Sequence, residues 1–257
     1  FGIADVAHAQ AVIVDDGSGT GTANDGTITA GQETTDIHNT PITADQANDV
    51  IITNAGGANI LILGDADADD AASVGESTTS ANAITSVVDG ATLNITSQDI
   101  TSGTTGAITV DGGIGLSGTG VDDLTLNILA PADVGGNGAS DFTVTVNGDI
   151  NIGTGVLTVD ANAANDGAAA TLVTTGSVTA DSIVLDTDGG SAATLNLSGT
   201  SGTTQTVSGA INGNGGAEGA VVVSGSAVTF QADVGTVGTG VASVVVNGGN
   251  ATNTVAF

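Results

Sequence analysis

Phe142-Thr-Val-Thr-Val-Asn-Gly-Asp-Ile-Asn-Ile152 decides the fold. Its first five residues alternate between apolar and hydroxylic side chains, the period of a strand with one face buried and the other in water. Asn147-Gly148 then marks a turn, and a shorter alternation resumes at Ile150. The same kind of run recurs at Ala91-Thr-Leu-Asn-Ile-Thr96, Ile108-Thr-Val-Asp111, Leu124-Thr-Leu-Asn-Ile128, Leu157-Thr-Val-Asp160, Ala193-Thr-Leu-Asn-Leu197 and Val244-Val-Val-Asn247. Several end on Asn/Asp-Gly, as at Asp111-Gly112, Asn147-Gly148 and Asn247-Gly248. A Gly-x-Ile/Val element opens others, at Gly106, Gly148, Gly176 and Gly209.

The centres Leu93, Val110, Leu126, Val146 and Val159 define a degenerate repeat of about 16–20 residues, a spacing typical of solenoids. Short strands joined by Gly/Asn turns stack one coil on the next about 4.8 Å apart with aliphatics inward. A β-sandwich array would show the same alternation but needs larger residues between its sheets and sharper hairpin turns. The reading is therefore all-β, a parallel β-solenoid over residues 81–257.

The core is expected to be narrow. Trp, Tyr, Met and Cys are absent, and Phe1, Phe142, Phe230 and Phe257 are the only aromatics. Val, Ile, Leu and Ala fill a thin, regular interior, not an irregular one that calls for rings. With 40% hydrophobic residues and a mean hydropathy of +0.31, the chain is not an acidic disordered tail. Residues 1–80 read differently. They hold 13 of the 28 acidic residues and both histidines, and the repeat is not visible. They are expected to form an acidic N-terminal cap or assembly segment, although Val50-Ile-Ile-Thr53 and Asn59-Ile-Leu-Ile-Leu63 still look like strands.

Charge bounds the function. There is no Lys or Arg, and the formal charge is −28. Such a surface repels nucleic acid and anionic lipid and attracts divalent cations. No apolar run reaches the roughly 18 residues of a membrane span, so no membrane insertion is expected. The absence of cysteine excludes disulfides and thiolate metal sites. With Phe1 in place of Met, a processed chain or a fragment is expected. Ala7-His-Ala-Gln-Ala11 is similar to a signal-peptidase site, although Asp5 fits an apolar leader poorly.

The runs Gly176-Ser-Val-Thr-Ala-Asp-Ser-Ile-Val-Leu185 and Val144-Thr-Val-Asn-Gly-Asp-Ile-Asn-Ile152 resemble the β-strand repeats of bacterial exported surface proteins. That group includes autotransporter passengers, haemagglutinin-type adhesins and S-layer proteins. The resemblance is one of style and composition over residues 84–257, so it carries no functional residue across. It implies an extracellular location at the cell surface and a structural or adhesive role.

One segment has metal-ligand spacing. Asp65, Asp67, Asp69, Ala71 (through its carbonyl), Ser73 and Glu76 fall at positions 1, 3, 5, 7, 9 and 12 of an EF-hand-like loop, the oxygen set that wraps Ca2+. Asp70 stands where such loops carry Gly. The flanks read as strand and loop, and a solvated acidic turn accounts for the same residues. Gly135-Gly-Asn-Gly-Ala-Ser-Asp141 approaches a calcium nonapeptide with its Asp one residue late, and reads as a loop. Asp15-Asp16 and Asp122-Asp123 read as solvated turns. Asn94, Asn196 and Asn250 open Asn-x-Ser/Thr sequons that a Thr-rich chain produces by chance.

No catalytic site is expected. His8 and His38 lack any nucleophile pattern. Acidic-sugar lyase chemistry needs a cation, and hydrolysis by paired carboxylates lacks aromatic surfaces on which a sugar would sit. Two functions remain. One is a structural subunit of a surface layer, sheath or filament, assembling head-to-tail with copies of itself. The other is an adhesin stalk, which should carry a tip with exposed aromatics that this chain lacks.

Overall fold

Among the described residues, twenty-three short strands, all pairing in parallel, make up the fold in a computed structural model. It describes residues 83–97, 106–110, 112–130, 141–161, 168–187, 191–200, 202–225, 227–247 and 255–257. Nearer the N-terminus it describes the strands Thr27–Ile28, Thr34–Ile37, Val50–Ile52, Asn59–Gly64 and Thr78–Ala81. No helix occurs among the described residues.

The strands form three sheets of nine, seven and seven, here called I, II and III. From Val50 to Phe230 the chain visits them in the order I, II, III and begins again: Ile84–Ser86 lies in I, Ala91–Ser97 in II, Gly106–Val110 in III, and Ile114–Leu116 returns to I. Each circuit stacks on the one before. The chain is a three-sided parallel β-solenoid.

Period-2 alternation places the aliphatics. Leu93, Leu126, Leu157, Ile183 and Ile211 stack in register through sheet II, and none has any exposed surface. Ile84, Ile114 and Ile150 do the same in sheet I, and Val144, Leu172, Leu195 and Val221 in sheet III. Burying each such side chain stabilises the coil by roughly 1.5–3 kcal/mol. Identical shapes in register give the core its regularity.

The repeat read from sequence measures a step between sheets, not a coil. Leu93 and Leu126 belong to sheet II, whereas Val110 and Val146 belong to sheet III. A full coil runs 33 residues from Leu93 to Leu126, 31 to Leu157, 26 to Ile183 and 28 to Ile211. The Gly-x-Ile/Val element likewise serves all three sheets: Ile108 is in III, Ile150 and Val178 in I, and Ile211 in II. Sheets I and II also run across the boundary expected near residue 80. Val50–Ile52 pairs with Ile84–Ser86, and Asn59–Gly64 with Ala91–Ser97.

Candidate functional site

The corner from sheet I to sheet II gathers carboxylates from successive coils. In one coil it comprises Val87-Val88-Asp89-Gly90, in the next it ends on Asp122-Asp123, and in the third it runs through Thr154-Gly155. Asp89 Oδ1 accepts the backbone N–H groups of Asp122 at 2.9 Å and Asp123 at 3.1 Å. In return, Gly90 N–H donates to Asp123 Oδ1. Thr154 closes the stack by donating both its N–H, at 2.8 Å, and its hydroxyl, at 3.1 Å, to the Asp122 carbonyl. These are corner amides with no strand ladder to enter, and carboxylates satisfy them.

Asp89, Asp122 and Asp123 each bring one oxygen within 4.8 Å of the others, with Asp89 and Asp122 exposed and Asp123 half-buried. The N–H groups and side chain of Asp122, followed by the N–H of Asp123, hold the Asp89 carboxyl below its ordinary value of 3.8. The Asp122 carboxyl is pushed above that value, first by the hydrogen bond it makes to Asp89 when protonated and then by repulsion from that charge. The triad could hold a hard cation through oxygen ligands. However, Asp89 and Asp123 already commit one oxygen each to backbone N–H groups, so stapling the corner explains their positions without an ion.

The segment Asp65, Asp67, Asp69, Ala71, Ser73 and Glu76 lies outside the described residues, as do His8, His38 and Asp15-Asp16. Asp122-Asp123, read as a solvated turn, belongs to the inter-coil staple. Sequence reasoning missed its partner Asp89, because the two are brought together only by a coil length of 33 residues. Asp141, in the loop that approaches a calcium nonapeptide, is also a staple: its Oδ1 accepts the N–H of Ala169 in the following coil at 3.0 Å. Asp149 Oδ1 accepts that of Ser177 at 2.7 Å. Asn94, first residue of a sequon, takes a hydrogen bond from the Asn127 side chain at 2.7 Å, forming an amide ladder on the outer face of sheet II.

Fold and site together define a parallel β-solenoid with carboxylate-stapled corners. No protein family, curated protein or solved structure was found to match the chain.

Proposed function

We propose that the protein is an extracellular, non-enzymatic structural subunit of a surface layer, sheath or filament, and that it assembles head-to-tail with copies of itself. The observation that carries this reading is the exposure of core positions in the last described coil. Val244 and Val246 stand in register with Val221 and Val223, which have no exposed surface, yet are themselves 39% and 46% exposed. Phe257 stacks on Phe230 at 5.4 Å between ring centroids and leaves 80% of its own surface in water.

Among the described residues no further coil stacks above these core positions. Among the described strands, Val241–Val246 and Val255–Ala256 are outermost in sheets III and I at the C-terminal side, and Thr27–Ile28, Thr34–Ile37 and Thr78–Ala81 are outermost at the N-terminal side. An open edge with apolar neighbours is a template for another strand. A heterologous contact of this kind propagates unless its rotation closes. Calcium fits as a screen between subunits of charge −28, held by the Asp65–Glu76 segment.

Light scattering and electron microscopy of the purified chain, with and without millimolar calcium, test the reading. Polymers whose length grows with protein concentration support it. A stable monomer at high concentration in both conditions overturns it and favours an adhesin stalk.

A further inference from the structure

Among the described residues, the outer face of sheet III is a broad surface where two copies of this chain can meet with little opposing charge; the strands of sheet I also carry no acidic residue, but they are two to four residues long against four to six in sheet III. From Gly106 to Leu197 its four strands carry no acidic residue. Their outward side chains stand in two registered columns. Thr143, Thr171 and Thr194 form one, and Thr145, Val173 and Asn196 the other, all half-buried by their neighbours. Val222 and Val245 extend the second column toward the C-terminal end. Among the described residues, carboxylates stand at the rim: Asp141 just before Phe142, Asp149 in the corner after Val146, and Glu218 at the start of its strand. Sheet II differs: Asp160 and Asp186 lie in register on its outer side.

We infer that sheet III is a lateral interface with sheet III of a second copy of this chain. A neutral centre within a charged rim is the pattern of a protein interface. The choice of occupant rests on charge and on period. With a net charge of −28 and no cation on either copy, approach through any acidic face is repulsive. The columns repeat with the strand spacing of about 4.8 Å, which a second sheet III reproduces along its whole length, so small side chains interdigitate at a sheet separation of about 10 Å.

Seven strands of about five residues give a face of about 500 Å² per copy, or about 1,000 Å² for the pair. That is the threshold of a specific interface, so one pair of subunits associates weakly. Repeated along a polymer, the contact becomes a stable seam by multivalency. The inference deepens the scaffold reading and rests on it for that gain, but the contact itself does not require end-to-end assembly.

The chain has no cysteine, so a single introduced thiol reports contact cleanly. Thr171 lies on Ala170–Thr174, the central strand of sheet III, closest to any two-fold axis through the face. Thr171→Cys is expected to form disulfide-linked dimers under mild oxidation, while Thr125→Cys on sheet II stays about tenfold less linked under the same conditions. Thr145→Asp, checked for an unchanged far-ultraviolet spectrum, is expected to reduce the width of assemblies in micrographs without shortening them. Equal cross-linking from both faces, or Thr145→Asp assemblies of unchanged width, overturns the lateral interface. Cross-linked pairs without filaments would keep it and refute head-to-tail growth; filaments without Thr171→Cys cross-links would do the reverse.

Discussion

Phe142 stands in register with Gly106 in the coil before it. Ala170 occupies the same position in the coil after. Phe142 heads the fully buried side chains by volume, and the core admits it because Gly and Ala yield space on either side. Phe142→Ala is therefore expected to cost about 3–5 kcal/mol, the range for deleting a buried ring where strands cannot collapse into the cavity. Urea denaturation followed by circular dichroism measures it. A loss below about 1 kcal/mol would mean that the coils close over the gap.

The Asn/Asp-Gly signature marks the corner after sheet III, and the structure gives its cause. A Cβ on Gly148 would sit 2.7 Å from the Gly113 nitrogen, and one on Gly176 would sit 2.4 Å from the Gly148 carbonyl group. Successive coils touch backbone to backbone there. Gly148→Ala is expected to destabilise by about 1–3 kcal/mol, as overpacking does in a tight interior. Gly202→Ala is the control for an open site, since nothing lies within 4 Å of its added Cβ, although its φ of +90° brings a conformational penalty of its own. Equal stability of Gly148→Ala and the parent chain would refute the contact.

Gln205 points into the core of sheet I, in register with Val228, and is 2% exposed. Its Oε1 accepts the N–H of Gly199 at 2.8 Å, and its Nε2 donates to the carbonyls of Thr174 at 3.0 Å and Gly176 at 2.7 Å. Gln205→Leu keeps much of the volume but strands the Gly199 N–H, a cost of about 1–3 kcal/mol in the interior, while the Thr174 carbonyl keeps the Ser198 N–H and the Gly176 carbonyl keeps the Thr174 hydroxyl. Gln205→Glu keeps the acceptor and, when ionised, loses both donors. Both variants are expected to lower the urea midpoint, with Gln205→Glu recovering part of the loss as acid protonates its carboxyl. A midpoint for Gln205→Glu that does not respond to acid would show that the donors do not matter.

Inward residues were legible from sequence wherever a strand was long enough to alternate. Ala91–Ser97, Leu124–Leu129, Phe142–Val146 and Ala193–Leu197 all coincide with runs read by period alone. Sheet I was not legible as a separate side. Its strands Ile150–Asn151 and Val178–Thr179 are two residues long, too short to display a period, so the strand centres read from sequence all fall in sheets II and III. The staple was hidden for a related reason. Asp89 and Asp122 are local only in a stack whose coils vary in length, and no fixed spacing marks them. The Asp65–Glu76 spacing was legible as a motif because all its residues lie in one short segment.

The final prediction concerns the pH response of that staple. Asp122 carries a carboxyl held above the ordinary value of 3.8, because its proton is shared with Asp89 in the folded state. A raised acid contributes stability below the unfolded value and loses it as pH rises through the folded one. Asp89, held below 3.8, does the opposite: its contribution is present above the unfolded value and lost as pH falls through the folded one. At neutral pH both are charged, so Asp122 repels the group that its own N–H supports. Asp122→Asn replaces the titrating donor by a permanent one and removes the repulsion, while the main-chain bonds from residue 122 to Asp89 and from Thr154 remain available. The variant is expected to melt above the parent chain at pH 7. That advantage should shrink as the pH falls toward 3.8 through the raised folded value of Asp122, because protonated Asp122 makes the same hydrogen bond. Thermal melts across that range decide it. A variant less stable at neutral pH, or a difference independent of pH, would mean that Asp122 does not share its proton with Asp89.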